Sequence, residues 1–153
     1  MSPHAPGRAA LLACAAAIAV GCGGPKDPVQ ALLDDVVAAG EARDAGAVVE
    51  HLAEGFEGTG GMRKAEVRAT LQRYFAAYQS VDLTLYDLTV EEGHQARFRM
   101  DFSGRPRDVG GLAGLLPSTA VYSFELTLAD GPDGLLVDRA TWEPWTPPAS
   151  PGS

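Results

Sequence analysis

The apolar positions of this chain change period along its length. Ala9–Val20 carries no polar interruption at all. From Val29 onward the apolar residues recur three and four positions apart. Val29, Leu32, Leu33, Val36 and Val37 make one stripe, which predicts an amphipathic helix. Asp27-Pro28-Val29-Gln30 marks its start, with Asp27 capping the free amides, Pro28 at the first helical position and Gln30 completing a capping box. Arg43-Asp44 ends this helix and caps a shorter one, with Val48, Val49 and Leu52 inward and Gly55 at its close. The stretch from Gly55 to Gly61 reads as a flexible glycine-rich turn. A third helix is predicted over 63–79, with Val67, Leu71, Tyr74, Phe75 and Tyr78 as its stripe.

From Ser80 the period becomes two. Val81, Leu83 and Leu85 alternate with polar residues, then Leu88 and Val90 do so one position out of phase. The slip at Tyr86-Asp87 predicts a bulge. Ala96, Phe98, Met100 and Phe102 form a second apolar face, backed by Arg97, Arg99 and Asp101. Ala120, Tyr122, Phe124, Leu126 and Leu128 form a third, backed by Ser123, Glu125 and Thr127. The last strand is expected over 135–145. Turns fall around Gly93 and over Asp130 to Gly134. Strands close in sequence with one polar face predict an antiparallel sheet, and helices gathered on its other face predict an α+β domain. Arg97 or Arg99 is placed to pair with Glu125 across strands.

The apolar run at the front is too short to be part of this plan. Crossing a bilayer takes roughly 20 apolar residues. Ala9–Val20, preceded by Arg8 and followed by small residues, fits the hydrophobic region of an export signal. Ala19-Val20-Gly21-Cys22 resembles the lipobox of bacterial lipoproteins. The resemblance implies cleavage before Cys22, acylation of its thiol, and attachment to a membrane through the lipid. Because Gly23 rather than Asp follows, it also implies the outer membrane, facing the periplasm, in a cell with two membranes. A plain secretory signal cut at Ala17-Ile18-Ala19, or an uncleaved anchor, is the alternative reading. The chain then divides into a signal over 1–21, a lipidated tether over 22–27, one domain over 28–145 and a Pro-rich tail over 146–153, read as disordered.

Charge narrows the partners. The net charge of -8 argues against nucleic acid, since no Lys and Arg cluster is present to neutralise phosphates. Cys14 leaves with the signal and Cys22 is acylated, so the mature domain carries no thiol chemistry. His51 and His94 are isolated, and no metal site or cofactor is expected.

Three helices followed by a bent sheet ending in Trp142-Glu143-Pro144-Trp145 are similar to the nuclear-transport-factor-2-like superfamily, including its SnoaL-like and ketosteroid-isomerase-like members. Ala42-Arg43-Asp44-Ala45-Gly46, Leu52 to Phe56, Leu71 to Tyr78 and Asp138-Arg139-Ala140-Thr141-Trp142 carry the likeness. A cystatin-like or lipocalin-like domain is the alternative. The resemblance implies a cone whose mouth holds a small apolar ligand. Enzymes of that kind keep an ionisable group in the cone, as in ketosteroid isomerase. The corresponding positions here fall near Val36 and Tyr122, neither of which carries an acid.

The inward list therefore favours binding over catalysis. Phe56, Tyr74, Tyr78, Phe98, Met100, Tyr122 and Trp142 are the candidate pocket residues. Leu112, Leu115 and Leu116, in the apolar glycine-rich segment between two strands, are the candidate lid. The favoured function is a non-catalytic envelope domain that binds a small apolar ligand or a neighbouring protein. The alternative is an isomerase-, hydratase- or cyclase-like enzyme using Glu57 or Asp87 as base and Tyr122 as hydrogen-bond donor. The polar outer sheet face favours a monomer.

Overall fold

The computed structural model describes residues 27–108, 111, 113–149 and 151. Cys22, the signal and Leu112 lie outside the described residues. Three helices, α1 (Pro28–Glu41), α2 (Ala45–Val49) and α3 (Lys64–Ala76), pack on a five-stranded sheet. The strands are β1 (Leu52–Gly58), β2 (Tyr78–Glu91), β3 (Gln95–Pro106), β4 (Thr119–Gly131) and β5 (Gly134–Pro144), in spatial order β1-β5-β4-β3-β2. No helix among the described residues is long and apolar enough to cross a membrane.

The helix starts follow local chemistry. Asp27 Oδ1 accepts from the Val29 amide at 2.8 Å, and Asp44 Oδ1 from the Ala47 amide at 2.9 Å. The expected capping box at α1 does not close. The Gln30 side chain turns forward to Asp34 Oδ1 at 2.8 Å instead of back to Asp27, a neighbour one helical turn away. Val29, Leu32 and Leu33 are buried in one apolar cluster with Ala96, Leu126, Leu128 and Val137 of the sheet. Burying each such side chain stabilises the fold by about 1.5–3 kcal/mol.

Three sequence expectations are corrected. The segment after α2 is not a helix end and turn but strand β1, which runs parallel to β5 and makes the sheet mixed. Its pairing register shifts between Leu52 and Glu57, which blurs the alternation. α2 ends at Val49, before Leu52. α3 stops at Ala76, with Ala77 as its cap, and Tyr78 opens β2 rather than closing the helix. The reason is tertiary: the Ala77 carbonyl accepts from the Arg107 amide at 2.8 Å, which draws the chain into the sheet.

The bulge falls where the period slipped. Pairing of β2 with β3 shifts between Tyr86 and Thr89, and Asp87 has a φ of 56°. Arg97 pairs with Glu125 at 3.3 Å, while Arg99 reaches Asp87 at 3.3 Å and Asp101 at 3.6 Å. Arg99 also lies 4.8 Å from the ring centres of both Tyr86 and Trp145. This stack ties β2, β3 and the end of β5 together on the outer face.

Candidate functional site

The interior divides into two apolar clusters. The larger holds Phe56, Phe98 and Val29, Leu32 and Leu33 of α1, with Met100, Phe124 and Trp142 against it. The smaller holds Phe75, Tyr78, Val81 and Phe102, with Leu71, Tyr74, Leu116 and Ala120 against it. The candidate pocket residues are thus split: Phe56, Phe98, Met100 and Trp142 in the first, Tyr74 and Tyr78 in the second. Tyr122 belongs to neither core cluster. Its ring is 6.5 Å from Phe124, and its hydroxyl is close enough to Tyr74 to affect that group's ionisation.

The second cluster carries the interior's hydrogen-bonding groups. Tyr78 is fully buried at 0% exposure, and its hydroxyl donates to the Pro117 carbonyl at 2.8 Å. Ring centres of Tyr74 and Tyr78 lie 4.9 Å apart, and Phe102 meets them edge-on at 5.5 and 5.2 Å. Burial first, then a hydrogen bond with the Tyr78 side chain and the neighbouring phenols of Tyr78 and Tyr122, hold the Tyr74 phenol well above its ordinary value of 10. Arg43 Nη1 donates to the Tyr78 carbonyl at 2.8 Å and fixes the start of β2 against the turn between α1 and α2.

The segment proposed as a lid is partly fastened. Leu116 packs on the second cluster, and the Ser118 carbonyl accepts from the Gly104 amide at 2.9 Å. Leu115, in a 3-10 turn over Ala113–Leu115, is 79% exposed.

Glu57 and Asp87 are on the other side of the sheet from Tyr122. Phe56 faces the core, so its neighbour Glu57 faces outward, aligned with Arg139 and lining a groove of about 570 Å³ with Glu125, Thr141 and Glu143. The Asp87 side chain is 76% exposed and paired with Arg99. The structure therefore does not bring either carboxylate to Tyr122. Among the described residues the one charged side-chain atom left buried without a hydrogen bond is Asp101 Oδ1, beside Arg99, no whole charged side chain is buried, and no group of three His, Cys, Asp or Glu is arranged to hold a metal. What the site offers chemically is the phenols of Tyr74 and Tyr122 in apolar surroundings, donors and acceptors for one oxygen of a ligand, beside a Tyr78 hydroxyl already bonded to Pro117.

Sequence reasoning missed Arg43 and the Pro117 carbonyl, because neither a main-chain acceptor nor a partner 35 residues away leaves a periodic signal. It also missed the stack of Tyr86, Arg99 and Trp145.

No family profile matches the chain, and no curated protein matches it. Solved structures do. A scytalone dehydratase candidate from Novosphingobium aromaticivorans superposes with a TM-score of 0.64 at 9% identity, over 78% of this chain and 83% of that one. TsrD from Streptomyces laurentii gives 0.61 at 25% identity, over 79% and 90%. A ketosteroid isomerase-like protein from Erwinia carotovora atroseptica gives 0.56 at 14% identity, over 81% and 100%. With α1 to α3 on a curved mixed sheet and these neighbours, the chain has the nuclear-transport-factor-2-like fold that dehydratase-like and isomerase-like proteins share.

Proposed function

We propose that this chain is an exported lipoprotein, held at the membrane through acylated Cys22. Its domain binds a small, neutral, largely apolar ligand without transforming it, or docks a neighbouring envelope protein. In a two-membrane cell the anchor is the outer membrane, on the periplasmic side. The observation that carries the ligand reading is a charge-free described interior with the Tyr74, Tyr78 and Tyr122 phenols gathered toward one end. A ligand with one hydrogen-bonding oxygen satisfies the Tyr74 and Tyr122 phenols, the Tyr78 hydroxyl being committed to Pro117, and the apolar walls take the rest of it. A charged ligand would be desolvated there without a counter-ion. The fold alone does not separate binding from catalysis, since some neighbours are named for enzymes. The outward placement of Glu57 and Asp87 supports binding, because a general base must reach the proton it takes.

Two measurements test this. Native mass spectrometry of the full chain, extracted in mild detergent, is expected to show a co-purified small-molecule adduct that Tyr122→Ala diminishes. Turnover of a cyclic ketone substrate by the wild type, whether or not Glu57→Gln or Asp87→Asn abolishes it, or no adduct at all, counts against it. For the anchor, cells fed labelled palmitate are expected to label the wild type and not Cys22→Ser. Equal label in both ends that half of the proposal.

A further inference from the structure

The three phenols lie at one end of the domain, and the chain enters it at the other. β2 begins at Tyr78, β3 ends at Pro106 and β4 begins at Thr119, so these meet at the tyrosine end. The β2–β3 and β4–β5 turns, with Glu92, Gly93, Pro132 and Asp133, meet at the opposite end. α1 spans the distance. Its first turn, at Val29, packs in the cluster that contains Leu128 and Val137. Its last residue, Glu41, accepts from the Leu83 amide at 3.1 Å, Gly40 lies against Leu83 inside β2, and Arg43 just beyond the helix reaches the Tyr78 carbonyl at the start of β2 at 2.8 Å. With 14 residues, α1 is about 21 Å long.

The tether is shorter than that. From Cys22 to Asp27 the chain advances five residues, at most ~18 Å when fully extended. For the tyrosine end to rest on the anchoring leaflet, Asp27 would have to stand about 21 Å above it, out of the tether's reach. This holds although Arg105 and Arg107 at that end would be drawn to anionic lipid, whereas Glu91, Glu92, Asp130 and Asp133 at the other end would be repelled. Length overrides the charge preference, which salt screens over about 8 Å.

Resting on the lipid-anchor reading, we propose that the tyrosine site is presented away from the membrane that holds the anchor. Its ligand then comes from the aqueous phase or from a facing protein, and is not drawn from the anchoring leaflet.

The test uses the acylated full chain in vesicles of phosphatidylcholine with 20% phosphatidylglycerol, doped with a headgroup-nitroxide lipid. The acylated wild type contributes no other free thiol, so single cysteines can carry a dye: Pro132→Cys or Asp133→Cys at the turn end, Asp108→Cys or Leu115→Cys at the tyrosine end, all exposed positions. Circular dichroism identifies the variants that fold. The dye at the turn end is expected to be quenched at least twofold more than the dye at the tyrosine end. Equal quenching, as in a domain lying on its side, or stronger quenching at Leu115 overturns the orientation while leaving the anchor intact. An intact mass equal to that of the unacylated chain removes the anchor, and the orientation falls with it.

Discussion

Gly104 sits where β3 passes under the tyrosine cluster. A Cβ there would lie 2.6 Å from Phe102 Cζ and 2.8 Å from Tyr78 Cδ1. Both rings are buried and held by each other, so neither can yield freely. Gly104→Ala is expected to destabilise the domain by about 1–3 kcal/mol, measured by urea denaturation. A result near zero would show that the cluster is loosely packed. Tyr74 makes a second prediction at this scale. Its phenol ionises above the ordinary value of 10 in the folded state. The folded chain therefore holds that proton where the unfolded chain has released it. The contribution is fully present below pH 10 and is lost as pH rises through the higher folded value. Tyr74→Phe is expected to be less sensitive than wild type to pH above 10, read as the change of denaturation midpoint with pH. Tyr74 and Tyr78 were singled out in the sequence by their helical spacing. Their mutual contact was not, because Tyr78 left the helix.

The turn between α1 and α2 is tied to the start of β2 by the Arg43 side chain. Arg43 has a φ of 56°, which an L residue adopts at a cost of roughly 1–2 kcal/mol, and its guanidinium reaches the Tyr78 carbonyl. Arg43→Ala keeps the strained backbone and loses a hydrogen bond from a charged donor, worth about 1.5–3 kcal/mol. Arg43→Gly loses the same bond but adopts that φ freely. The glycine variant is expected to be more stable than the alanine variant by about 1 kcal/mol. The reverse order in thermal denaturation would show that the turn relaxes. Element types were largely readable from period: the helical stripes of α1 and α3, the alternation in β3 and β4, and the phase slip that marks the bulge at Asp87. β1 was not readable. Seven residues with Gly55 and Gly58 among them show little alternation, and the strand exists because β5 offers it a parallel partner.

Across the whole molecule, the outer face is closed by its last ordered contact. Trp145 donates its amide to the Val121 carbonyl at 2.9 Å and stacks on Arg99. Residues 146–149 are exposed and make no regular structure. Truncation after Trp145 is expected to leave the melting temperature nearly unchanged. Truncation after Pro144 is expected to cost about 1–2 kcal/mol, the sum of one hydrogen bond and one cation–π contact. Equal melting temperatures for the two truncations would show that the stack contributes nothing.

Local pattern was enough for the three helices, four of the five strands and the apolar character of the described interior. These are written in composition and in periods of 3.6 and 2, which depend only on neighbours along the chain. The tertiary structure decided the parallel pairing of β1, the length of α3, and the direction in which Glu57 faces. It also decided the joining of Arg43, Tyr78 and Pro117. Each of these depends on a partner tens of residues away, and hydrophobic periodicity records which face is buried without naming what buries it.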